Sequence, residues 1–190
     1  MSIIRPIAVA FSLLLATLPA HAQTEDTTPA AEADLSLGQE VPGTPYVAGQ
    51  HGDWEQRCVR APEGQDDPCQ IYQLLRDQDG NSVAEISIFP LPEGGQAVAG
   101  ATIATPLETL LTQQITLSVD GGTAKRYPYN YCDAAGCYAR VGFTASDLSA
   151  LKRGAAATMR IVPVQRSDQA VLLTLSLSGF TAGYAALSGN

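Results

Sequence analysis

Apolar and polar residues alternate with a period of two along much of this chain, and that pattern leaves few fold classes open. Ala84, Ile86 and Ile88 alternate with Glu85 and Ser87. Ile115, Leu117 and Val119 alternate with Thr116 and Ser118, and Leu173, Leu175 and Leu177 with Thr174, Ser176 and Ser178. Successive side chains of a strand point to opposite faces, so this spacing marks strands with one buried face. Trp54–Arg60, Gln70–Leu75, Val98–Ala104, Tyr138–Phe143 and Thr158–Val164 are further strand candidates. Asp77-Gln78-Asp79-Gly80-Asn81, Pro92-Glu93-Gly94-Gly95 and Asp120-Gly121-Gly122 supply turns between them. Short strands at this spacing, with few helices, point to an all-β antiparallel sandwich or barrel.

Two helices interrupt the pattern. Thr144 can cap the first, with Asp147 three residues on in a capping-box arrangement. Leu148 and Leu151 give it an apolar stripe, Lys152 and Arg153 suit its C-terminal end, and Gly154 can stop it. A shorter helix follows Gly179, where Phe180, Tyr184 and Leu187 fall on one face. It reads as a plug over one end of the sandwich.

The N-terminus is of a different kind. Residues 1–22 have the form of a secretory signal: Arg5, an apolar stretch from Ile7 to Leu18, then Ala20-His21-Ala22 before the expected cut. The apolar stretch is shorter than the roughly 20 residues that span a bilayer, so no membrane span is expected. Residues 23–47 hold Glu25, Asp26, Glu32, Asp34 and Glu40 and no basic residue. With no periodic apolar face, this stretch reads as a disordered acidic tail or linker. The folded domain is then expected over residues 48–190. The whole chain carries 19 acidic and 11 basic side chains, a net of −8, which argues against nucleic-acid binding. Cleavage after residue 22 would leave His51 as the only histidine.

Cys58, Cys69, Cys132 and Cys137 all follow the expected cut. An exported chain with an even cysteine count favours two disulfides in an oxidising compartment, the periplasm or the exterior. Four cysteines allow three connectivities, of which sequence neighbours are the simplest. Neither neighbouring pair has the C-x-x-C spacing of most zinc or redox sites.

These pieces together resemble the invasion-associated locus B family of exported bacterial proteins. Gly52-Asp53-Trp54 followed by Cys58 and Cys69 is similar to its opening motif, and Thr105-Pro106-Leu107 with Leu110-Leu111 to its central segment. Cys132-x4-Cys137, with Gly136 before the second cysteine, is similar to its second pair. Leu175-Ser176-Leu177-Ser178-Gly179-Phe180, ending in Ala186-Leu187, is similar to its C-terminal signature. Two departures stand out: His51 replaces an aromatic residue before the opening motif, and Thr112-Gln113-Gln114 replaces a glycine-containing turn after the central segment. The resemblance implies an immunoglobulin-like β-sandwich in the periplasm or outer envelope. It also implies, for some members, a link to host-cell invasion, and it brings no catalytic residue.

The residues themselves supply no catalytic set. One histidine and no G-x-S-x-G elbow leave a nucleophilic triad unsupported. Asp77-x-Asp79-Gly80-Asn81 superficially resembles a calcium loop, but Ser82 and Ile88 stand where that loop needs Gly and Glu. No metal or cofactor is expected. The best binding candidate is aromatic: Tyr127, Tyr129 and Tyr131 recur every second residue and would share one face of a strand, with Tyr138 across a hairpin. Pro128 lacks an N–H, which suits an edge strand. The expectation is therefore a non-enzymatic β-sandwich that binds an envelope or host protein. A carbohydrate- or peptidoglycan-binding module using the tyrosine ladder is the alternative.

Overall fold

The computed structural model describes residues 38–187, so the expected signal segment and the acidic stretch up to residue 37 lie outside the described residues. Strands run over Pro45–His51 (β1), Trp54–Val59 (β2), Cys69–Arg76 (β3), Ser82–Pro90 (β4), Ala99–Thr105 (β5), Ile115–Val119 (β6), Lys125–Tyr127 (β7), Tyr131–Cys132 (β8), Cys137–Phe143 (β9), Ala156–Ile161 (β10) and Val171–Ser176 (β11). Helices span Ala145–Arg153 (α1) and Phe180–Ala186 (α2). The strands form two antiparallel sheets, a seven-stranded one in the order β1-β2-β3-β4-β5-β9-β8 and a four-stranded one in the order β11-β10-β6-β7. This is the expected sandwich, and five strands of the larger sheet follow one another in chain order.

The core is what the alternation requires. Ile71, Leu75, Ile86, Ile88 and Ile103 of the larger sheet join Ile115, Leu117, Met159, Leu173 and Leu175 of the smaller one in a single buried cluster. Each such side chain removed from water contributes about 1.5–3 kcal/mol before entropy is charged. Helix α1 starts as its sequence indicates: Thr144 and Asp147 form a reciprocal capping box, and Leu151 is its buried residue. Phe180 and Tyr184 bury one face of α2, which packs on α1 and on β1 to β4.

The two ends of the chain's resemblance meet in space. Trp54 is fully buried, its ring edge-on to Phe180 at 5.3 Å, and its indole N–H donates to the Ser176 carbonyl at 2.9 Å. The Asp53 N–H donates to the Ser178 carbonyl at 3.1 Å, and the Ser176 hydroxyl donates to the Asp53 carboxylate at 2.6 Å. Gly52 and Gly179 both have positive φ, and a Cβ on either would strike the backbone of the other segment. Gly52-Asp53-Trp54 and the C-terminal signature are therefore a clasp that joins the first strands to the last. Gln73 completes it from the neighbouring strand. Its side chain is buried, donates to the carbonyls of Asp53 and Ser176, and accepts from the Ser176 N–H at 2.8 Å.

Both disulfides join sequence neighbours. Cys58–Cys69 links directly opposed positions of β2 and β3, and Cys132–Cys137 links those of β8 and β9, with Cα separations of 4.1 and 4.0 Å. Such bonds fit an oxidising compartment rather than the cytoplasm. Among the described residues, no helix is long and apolar enough to cross a membrane.

Three sequence expectations need correction. The acidic tail does not run to residue 47: Pro45 to Val47 already pair with β2, and Gly43 donates to the Arg60 carbonyl. Glu40 forms an ion pair with Arg60, whose guanidinium also stacks on Tyr46. Backbone pairing holds this edge strand, so its side chains show little alternation. The strand expected over Thr158–Val164 stops at Ile161, and a short 3-10 turn begins after Pro163. The tyrosine segment is not one strand but parts of two, β7 and β8.

Candidate binding face

The outer face of the larger sheet follows from its register. Leu74, Glu85, Ala104, Tyr138 and Tyr131 oppose one another in turn across β3, β4, β5, β9 and β8. Glu55, Tyr72, Ser87, Thr102 and Arg140 form the next row. Neighbouring positions across strands lie about 5 Å apart, so side chains within a row touch. The Tyr131 and Tyr138 rings stack with centroids 4.9 Å apart and planes 21° from parallel. Tyr131 is 51% exposed.

The second row is tied by charge. The Arg57 guanidinium lies 3.2 Å from the Tyr72 ring centroid and pairs with Glu55 at 2.7 Å. The Tyr72 hydroxyl donates to Glu85 at 2.9 Å. Burial, then the hydrogen bond to that carboxylate, raises the Tyr72 phenol above its ordinary pKa, so it stays a neutral donor. The outer face thus carries the Tyr131–Tyr138 stack and, on β3, the Tyr72 ring held by Arg57 and Glu85.

Recesses border the stacked pair. Tyr138 lines one of about 400 Å³ with Leu74, Glu85 and Pro106. Tyr131 lines a smaller one of about 200 Å³ with Leu111, Thr112, Gln114, Tyr129 and Asn130. The central Pro-Leu segment reaches the second disulfide: the Thr105 hydroxyl donates to the Cys137 carbonyl, and a Cβ at Gly136 would meet the Thr105 carbonyl. Leu107 and Leu111 in this segment are exposed. Gln114 has φ 57° and ψ 167°, a backbone region that is essentially reserved for glycine and costs about 1–3 kcal/mol elsewhere. It stands in the segment where the resemblance has a glycine-containing turn.

The structure separates the tyrosines that were expected to form a ladder. Only Tyr127 belongs to β7, in the smaller sheet, and Tyr131 opens β8, in the larger one. Pro128 cannot donate to a ladder, and the chain crosses between sheets there, so the every-second-residue spacing does not define one face. Tyr127 packs edge-on to Phe143 at 6.3 Å. Burial, and then the charge of Asp147, pushes its pKa up to about 12. Tyr129 is half-buried, and its hydroxyl lies 3.3 Å from that of Thr105. Tyr138 does lie across the hairpin, opposite Tyr131. Tyr72 was missed, although it sits on the outward-facing half of an alternation that the sequence displays.

The polar side chains around the clasp and the first disulfide serve the fold. His51 Nε2 lies 3.2 Å from Gln56 Oε1, and Asp53 is held in the clasp. Asp67 accepts from the Ala61 N–H at 2.7 Å, from the Tyr46 hydroxyl at 2.6 Å and from Arg60. Those bonds, the backbone one foremost, hold its pKa below the usual carboxylate range. Among the described residues, no three or more His, Cys, Asp or Glu side chains are placed to hold a metal ion.

The geometry can be set beside known proteins. No curated protein matches the chain. Its fold is similar to the crystal structure of invasion associated protein B from Bartonella henselae, with a TM-score of 0.63 and 20% sequence identity. That match covers 74% of this chain and 94% of the other. The family model described as invasion associated locus B (IalB) protein matches residues 54–188, from the clasp tryptophan to just beyond α2. The chain belongs to the invasion associated locus B family.

Proposed function

We propose that this chain is an exported, non-enzymatic binding protein of the bacterial periplasm or outer envelope. Its outer sheet face engages an envelope protein or, as the family description suggests, a host protein. The observation that carries the reading is the Tyr131–Tyr138 stack, in which a half-buried Tyr138 supports an exposed Tyr131 ring. Exposed aromatic rings on rigid strands are the side chains most enriched where proteins bind proteins, and Leu74, Leu107 and Leu111 add apolar surface. The cross-strand disulfide beside the stack fixes the hairpin that presents it. The second reading is a glycan, favoured by the small recess where the Tyr131 ring stands beside the amides of Gln114 and Asn130. A sugar ring needs such a stacking face with amide donors.

The test compares wild type with a Tyr131→Ser, Tyr138→Ser double variant, in co-sedimentation with isolated envelopes and with purified peptidoglycan sacculi. Loss of an aromatic anchor costs about 2 kcal/mol or more, roughly 30-fold in affinity. The double variant should lose envelope binding to that extent and keep its melting temperature within a few degrees. Binding to sacculi that depends on both tyrosines selects the glycan reading. Wild-type protein that binds neither preparation contradicts the envelope-protein and glycan readings.

A further inference from the structure

A cavity of about 330 Å³ lies on the other side of the molecule, between β6, β7 and helix α1. It is distinct from the aromatic face and is lined by none of its residues. Its volume is in the range of small-molecule sites. Leu151 is the one fully buried residue of α1, and the helix's first turn meets β7 through the Asp147–Lys125 pair at the cavity's edge. Leu117, Val119, Phe143, Ala150 and Leu151 supply apolar walls.

The polar groups in the cavity are nearly all hydrogen-bond acceptors or hydroxyls: Asp147, Tyr127, Ser146 and Thr123. The exception is Lys125. Asp147 is fixed by the capping box, where one carboxylate oxygen accepts from the Thr144 N–H at 3.1 Å and the Thr144 hydroxyl at 2.8 Å. Its other oxygen takes the Lys125 ammonium at 2.5 Å. Lys125 is the loose partner, with 49% of its side chain exposed against 18% for Asp147. The Tyr127 hydroxyl has no hydrogen-bond partner among the described residues, and burial first, then the nearby Asp147 charge, keeps it a neutral phenol.

We propose that this cavity binds a small amphipathic primary amine, with its ammonium on Asp147 and its apolar body against Phe143, Val119 and Ala150. An ammonium brings three donors and no acceptor, which matches a carboxylate and a free phenol hydroxyl. A ring or branched alkyl body matches the walls. Lys125 is the intramolecular stand-in: its ammonium holds the carboxylate until a ligand ammonium replaces it. A carboxylate ligand does not fit the same arrangement, because the anchored group is itself an anion and the mobile group is the cation.

The full chain is titrated with 2-phenylethylammonium and, separately, with 3-phenylpropionate, which has a similar body and the opposite charge. Calorimetry and amide NMR shifts at Lys125 and Asp147 report binding. The amine is expected to bind and the carboxylate not. Lys125→Ala removes the competitor and should tighten the amine by about two- to five-fold, the worth of an exposed ion pair. Asp147→Asn keeps a side chain that can cap the helix but should lose binding, and Ala150→Phe fills the cavity without touching the cap. Equal or tighter binding of the carboxylate, weaker amine binding in Lys125→Ala, or no amine binding to the wild type would each overturn the proposal.

Discussion

Replacing Gln73 by Leu tests how the sandwich is closed. The amide makes three hydrogen bonds: one to the Asp53 carbonyl at 3.2 Å within its own sheet, and two that bridge the sheets, to the Ser176 carbonyl at 3.1 Å and from the Ser176 N–H at 2.8 Å. Leu is close in size, so little cavity forms and the cost is mainly polar. The Ser176 carbonyl keeps the Trp54 indole as a donor. The Ser176 N–H loses the partner that Gln73 supplied, and the Asp53 carbonyl loses a donor. A hydrogen bond contributes about 1 kcal/mol net, and a buried group left unsatisfied costs about 1–3 kcal/mol. Greater burial of Leu returns some of this, so the expected loss is about 3 kcal/mol. For a domain of this size that is a fall in Tm of about 6–12 °C. Urea unfolding with the disulfides intact measures it, and Thr158→Val, exposed on the outer face of the smaller sheet, serves as a control near zero. Hydrogen exchange at the Ser176 amide should accelerate more than at Leu173. A loss below 1 kcal/mol, with Ser176 exchange unchanged, would refute the reasoning.

Other predictions concern the same framework. Tyr127 has a folded pKa raised from 10.0 to about 12, so it favours the fold fully below pH 10 and loses that contribution as pH rises toward 12. Tyr127→Phe should therefore flatten the alkaline fall in stability over that window, and an equal fall in both proteins would contradict the burial argument. Removing Cys58–Cys69 by double serine substitution should cost about 3 kcal/mol and removing Cys132–Cys137 about 2 kcal/mol, from loops closed over 11 and 5 residues. Denaturant midpoints check the order, and the reverse order would show that loop entropy is not the leading contribution.

Much of the fold was legible because its strands are half-buried. Ala84, Ile86 and Ile88 alternate with polar neighbours because one face of β4 is core and the other solvent. The same logic located α1 from Thr144, Asp147, Leu148 and Leu151. The strands that were missed (β1) or merged into one (β7 and β8) are those where side-chain burial is not what holds them. Strand β1 is an edge held by backbone bonds, and β7 and β8 are too short to display a period. The tyrosines failed for a related reason: spacing identifies a face only while the chain stays in one strand, and Pro128 lies where it changes sheets. The aromatic face itself depends on register. Tyr72, Glu85, Tyr138 and Tyr131 become neighbours only through pairings between distant segments, which a local pattern does not encode. Gly52 and Gly179 illustrate the same limit, since each is required by the backbone of the other's segment.

In the proposed function, the outer aromatic face is where this protein meets its partner. A photo-crosslinking amino acid placed at Tyr131, and in a second version at Thr158 on the outer face of the smaller sheet, tests it in intact cells. A discrete crosslinked species of defined mass at position 131, absent at position 158 and lost with Tyr138→Ser, is the predicted result. Crosslinks at 158 and none at 131 would place the partner on the opposite face and contradict it.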